Sequence, residues 1–146
     1  MGRLLSPHFS EDELWCKGQD YGTCNCNHSC YIDPKVIELL EKLRYNIGGY
    51  PLTINSGYRC RVHNKSDLVG GASDSQHCRG TAVDIACPSQ LDLDVFKWYV
   101  LQLEWDAVGV YYPSAGYSPF IHCDIRDGAS TPPGTPWEER WHWEYR

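Results

Sequence analysis

The sequence predicts an α+β fold, a small and mainly antiparallel sheet flanked by helices. Two amphipathic helical patterns, over residues 34–47 and 91–105, are interleaved with four short apolar segments of strand character at 51–55, 81–87, 107–113 and 120–126. The last two segments are joined by SAGYS, a glycine-bearing connection suited to a hairpin. No internal repeat and no linker divides the chain, so residues 1–146 are expected to form one domain.

Each element has a local cause. In HFSEDEL, Ser10 is an N-cap, Glu13 is its capping-box partner, and Phe9 and Leu14 form a hydrophobic staple, so a short helix starts at Glu11. Asp33 caps a second helix that begins at Pro34. Its Val36, Leu40, Leu43 and Ile47 share one face, and Gly48-Gly49 ends it. PLTIN reads as a strand. The following residues 56–80 are rich in Gly, Ser, Asn and Asp without hydrophobic period, a length of loop that is functional or disordered in compact domains. The helix over 91–105 places Leu93, Phe96, Val100 and Leu103 on one side. The tail 127–146 carries tryptophans expected to pack back on the body.

Composition narrows the function. A chain of 146 residues buries about 68–70% of its unfolded surface and folds without staples. The net charge of -6 argues against nucleic acid as a partner, since phosphate backbones are met by basic faces. No apolar run approaches the ~20 residues of a membrane span, and the N-terminal apolar patch is far short of a ~7–15-residue signal core. The expectation is a monomer made in the cytoplasm without its own signal peptide. The myristoylation pattern at Gly2 and Ser6 and the sequons at 27–29 and 64–66 are too short to carry weight.

Eight cysteines are many for such a chain. Cys16, Cys24, Cys26 and Cys30 crowd one N-terminal loop, while Cys60, Cys78, Cys87 and Cys123 are scattered. Four thiolates suit a structural zinc ion, but C-x-C in place of C-x-x-C ranks that reading behind disulfides or free thiols. His28 in this loop is expected to be solvated, and His8 and His142 to lie at the surface. Strand alternation turns Cys87 and Cys123 toward the core, where the two are expected to meet as packed thiols or a disulfide.

The chemistry lies in SDSQHCRGTAVDIAC and FIHCDIR. A carboxylate inside TAVDIA costs several kcal/mol without a partner. Alternation puts His122 and Asp124 on one face of their strand, and Asp84 opposite Val83 and Ile85 on its own. With the strands adjacent, Asp84 and His122 converge, and His77 arrives from the preceding loop. Two imidazoles and a carboxylate leave one position of tetrahedral zinc open, the pattern of a catalytic site. Hydrogen-bonded structural groups are the other reading of the same residues. On the zinc reading, Asp124 is placed to move the proton of the attacking water. His63, in the RVHN turn, is a further residue that could shape the site.

SGYRCRVHN, VGGASDSQHCRGTAVDI and GVYYPSAGYSPFIHCDIR together resemble the M15 family of zinc D-Ala-D-Ala peptidases. The pattern S-x-H-x-x-G-x-A-x-D falls on Ser75, His77, Gly80, Ala82 and Asp84, followed by His122 in H-x-D, and the likeness runs from about residue 8 to 126. It implies the fold shared with lysostaphin-like peptidases and the Hedgehog signalling domain, with zinc in a groove held by His77, Asp84 and His122. It also implies hydrolysis of peptidoglycan stem or cross-link peptides by a phage or bacterial enzyme that meets the cell wall after release. Arg59 is implied to hold a substrate carboxylate, with Ser75 hydrogen-bonding nearby and Tyr112 lining the groove. Some relatives carry the base three residues before the last histidine. Pro119 stands there in this chain, which leaves Asp124 as the candidate by elimination and parity. Hedgehog-type relatives imply the alternative of a zinc-bearing binding module without turnover.

Overall fold

The computed structural model describes residues 2–146. A two-stranded antiparallel ribbon, β1 (Leu4–Ser6) and β2 (Phe9–Ser10), leads into α1 (Glu11–Leu14). The capping box forms as expected, with the Ser10 amide donating to Glu13 at 2.7 Å, and Phe9 and Leu14 are both buried. Helix α2 (Pro34–Asn46) starts where Asp33 accepts from the Lys35 amide at 2.8 Å, and buries Val36, Leu39, Leu40 and Leu43. Each such side chain contributes about 1.5–3 kcal/mol by leaving water.

Strand β3 (Ile54–Ser56) and the short helix α3 (Arg61–Lys65) follow, and a 3₁₀ turn at Gln76–Arg79 precedes β4 (Ala82–Ala86). The segment 56–80 is therefore partly ordered into two short turns of helix around its ends. Helix α4 (Leu93–Leu101) crosses over to β5 (Ala107–Tyr111), which returns through β6 (Phe120–Asp124), and the chain ends in β7 (Trp141–Tyr145). The sheet order is β3-β4-β6-β5-β7, antiparallel throughout except that β7 runs parallel to β5. Val83, Ile85, Val108, Val110, Ile121 and Cys123 form its core face with the apolar faces of α2 and α4.

The tail docks through two buried charges. Arg140 donates to the carbonyls of Leu101, Leu103, Trp105 and Thr135, all between 2.5 and 2.9 Å. The Leu101 carbonyl is the last of α4, which stops there rather than running to 105, and the Arg140 guanidinium supplies a partner for it and for the carbonyls of Leu103 and Trp105 that follow. Asp106, also buried, accepts from the amides of Asp127, Ala129, Ser130 and Thr131. The tryptophans do pack back, but as part of a strand. Trp143 lies directly over Gly109, where any side chain would collide with its indole.

Cys87 and Cys123 do not meet. Cys123 pairs across the sheet with Val83 and Val108, whereas the Cys87 amide bonds to Pro119, about four strand residues or ~13 Å away along β6. Among the described residues no helix is long and apolar enough to cross a membrane.

Candidate metal centre

The face of the sheet opposite the core carries Asp84, Gly109, Tyr111 and His122. In β4 and β6 the residues Asp84 and His122 are direct cross-strand partners, so alternation and register bring together two groups 38 residues apart. His77 comes from the 3₁₀ turn that immediately precedes β4. Ser75 caps that turn by accepting from the His77 amide at 3.2 Å.

Second hydrogen bonds decide which imidazole nitrogens face the centre. His77 Nδ1 bonds to the Gly57 carbonyl at 2.8 Å, leaving Nε2 to point at Asp84 Oδ1, 3.3 Å away. His122 Nε2 bonds to Asp124 Oδ2 at 2.7 Å, leaving Nδ1 at 3.0 Å from the same Asp84 oxygen. The three donor atoms lie within 4.8 Å of one another. This donor set fits zinc. Two imidazole nitrogens and a carboxylate oxygen converge, both rings are locked by partners on their far side, and one coordination position is left open. Burial raises the Asp84 carboxyl, but the charge of His77 and hydrogen bonds from both imidazoles outweigh it and hold the group well below the ordinary carboxylate range. Burial pushes His122 down, and its bonds to Asp124 and Asp84 reverse this, raising it to about 9.

The centre opens into a groove of about 510 Å³. Arg59, Ser75, Tyr111, Phe120, Arg126 and Trp143 line it, and Asp74 is the one carboxylate in its wall besides Asp84. The Arg59 Nε is buried without a hydrogen-bond partner. Trp143 donates to the Tyr111 hydroxyl at 3.0 Å, fixing the indole against the mouth of the groove.

Two expected site residues sit elsewhere. Asp124 shares the strand face of His122, as parity requires, but it is 0% exposed and does not line the groove. It lies behind His122, bonded to the imidazole Nε2 at 2.7 Å and clamped by Arg126 Nε and Nη2 at 2.9 and 2.7 Å. Tyr112 also misses the groove. It follows Tyr111, so it projects to the other side, where it packs under the Arg146 guanidinium at 4.1 Å. His63 is buried beside the N-terminal loop, bonded to Thr23 at 2.6 Å, away from the centre. His28 is stacked on Trp15 and bonded to Asp20.

Sequence reasoning missed Tyr111, Asp74, Arg126 and Trp143. Arg126 was legible as the next residue on the His122 and Asp124 face of FIHCDIR. Trp143 had no local signal, because it reaches the groove only through the parallel pairing of β7.

The family model for peptidase M15 matches residues 7–124, most of the chain and both metal-bearing strands. A zinc D-Ala-D-Ala carboxypeptidase from Streptomyces albus G is 41% identical over 51 residues, which cover 35% of this chain and 19% of that relative. With a histidine, aspartate and histidine converging as zinc ligands do and the family match spanning the strands that carry them, the chain belongs to the peptidase M15 family of zinc peptidases.

Proposed function

We propose that this zinc peptidase hydrolyses amide bonds in the peptide part of peptidoglycan, as a D-Ala-D-Ala carboxypeptidase or an endopeptidase of stem or cross-link peptides. The observation that carries the substrate class is Arg59. Its guanidinium stands in the same groove as the metal centre with a buried nitrogen left unpartnered, a fork suited to a peptide carboxylate. His77, Asp84 and His122 are the zinc ligands. Zinc bound there supplies a Lewis acid that polarises the scissile carbonyl and makes water a nucleophile near neutral pH.

The remaining residues bind, orient and move protons. Arg59 holds the carboxylate, with the Ser75 hydroxyl beside it, and Trp143, Tyr111 and Phe120 form the apolar wall along the peptide. Asp124 and Arg126 keep the His122 Nδ1 turned to the centre. Asp74, as the free carboxylate of the wall, accepts the proton of the attacking water and returns it to the leaving amine. The burial of Asp124 and the presence of Pro119 favour one other reading, a zinc-bearing binding module without turnover.

Mass spectrometry of purified peptidoglycan digested with and without a chelator separates the two. Chelator-sensitive release of peptides with a defined new terminus is expected. Intact muropeptides from a zinc-loaded protein would overturn the enzyme reading and leave the binding module.

A further inference from the structure

A second cluster of metal-binding side chains lies outside the groove. Cys16 follows α1, Cys24 and Cys26 come from the loop beyond it, and Cys60 caps α3. Their four sulfurs lie within 4.8 Å of one another, with Cys16 to Cys24 at 3.9 Å and Cys24 to Cys26 at 3.6 Å. A disulfide requires about 2.05 Å. Four thiolates around zinc at about 2.3 Å are separated from each other by about 3.8 Å, the spacing observed between neighbours here. Cys30, the fourth cysteine of the loop by sequence, is not among them. It lines a separate surface cavity with Arg3 and Ile32.

The surroundings are built for thiolates. The Cys60 amide donates to Cys16 Sγ and the His63 amide to Cys60 Sγ, each at 3.4 Å. Such donors orient metal-bound sulfur. Gly18 packs so closely on Cys24 Sγ and His63 that a side chain there would collide with both. Between Lys17 and Ser29 the only buried side chain is that of Cys24, so no hydrophobic core holds this loop. Asn27 and His28 are nevertheless held at φ 58 and 55°, a left-handed pair that persists only where surroundings over-determine it.

We propose that Cys16, Cys24, Cys26 and Cys60 bind a structural zinc ion as four thiolates, and that this ion anchors the segment Gly57–Cys60 beneath the catalytic centre. Binding releases the thiol protons to solvent and leaves no open position for substrate. The anchor matters because Cys60 adjoins Arg59. The Arg59 amide bonds to the His77 carbonyl at 3.2 Å, and the Gly57 carbonyl fixes His77 Nδ1. The cysteine residues are positioning residues, remote from the reacting atoms.

Metal analysis of the reduced, full-length protein tests this directly. Two zinc ions per chain are expected in the wild type, and one in both the His77→Ala/His122→Ala and the Cys26→Ser proteins. Cobalt substitution provides a readout that needs no variant: sulfur-to-cobalt charge-transfer bands are expected in the wild type and in the double histidine variant. A catalytic centre of imidazoles and carboxylate cannot produce them, so the result is independent of whether the peptidase reading holds. Amide exchange at Gly57–Cys60 is expected to accelerate about tenfold or more in Cys26→Ser. A single zinc ion with no charge-transfer bands, or peptide mapping that finds these cysteines paired as disulfides, overturns the site. Unchanged exchange in a Cys26→Ser protein that has lost one zinc overturns the anchoring role.

Discussion

The two clusters of ligand-type residues are built in opposite ways. His77, Asp84 and His122 are carried by two adjacent strands and the turn leading into them, and each imidazole is locked from behind by a carbonyl or a buried carboxylate. Cys16, Cys24, Cys26 and Cys60 sit on loops and on the cap of a short helix, with almost no apolar packing of their own. The first set has the strand pairing of the sheet as its frame. The second set must itself supply the cohesion of its loop. A site that leaves a coordination position open needs a rigid frame, whereas a closed four-thiolate site is a frame.

The largest expected effect comes from removing a ligand on the rigid side. His122→Ala is expected to lose the catalytic zinc and drop peptide release to background while the fold persists, as circular dichroism with metal analysis would establish. Unfolding of this variant would break the contrast, since the sheet would then depend on its metal. Next in size, Asp74→Asn is expected to reduce kcat by about 10²–10⁴ with zinc content unchanged. Undiminished kcat would remove Asp74 from the reaction.

Loss of the loop site is expected to appear as stability. Cys26→Ser should lower the urea-unfolding free energy by about 3–4 kcal/mol, the linkage for an ion present at roughly 100–1,000 times its Kd. A zinc-depleted protein with wild-type stability would make the cluster mere decoration. Asp124→Asn tests the backing of the rigid site. Zinc affinity should fall about 10–100-fold, because the imidazole loses the carboxylate that orients it. The smallest effects concern the groove wall: Trp143→Ala is expected to raise KM severalfold, and Tyr112→Ala to leave it unchanged.

The residues explain what was legible. The capping box at Ser10 and Glu13, the helix from Pro34 and the alternation in TAVDIAC and FIHCDIR are local patterns, and local stereochemistry realised them nearly as written. The ligand triad needed only one assumption beyond parity, that β4 and β6 are neighbours. Parity named Asp124 as a partner of His122 but was silent on depth, and the structure places the residue read as a base fully buried, outside the groove wall. For Tyr112 the choice between adjacent tyrosines depended on the register of β5 against β6.

By itself, then, the sequence determined the α+β class, the helix starts, the two strands that carry Asp84 and His122 and, with His77, the three side chains that converge, because periodicity and capping act over a few residues. Only the tertiary structure decided that Cys60 replaces Cys30 in the thiol cluster, that β7 joins the sheet in parallel, and that Trp143 closes the groove. Those outcomes join segments 32 or more residues apart. Register, sulfur-to-sulfur distance and burial are properties of such long-range pairings, and no local pattern encodes them.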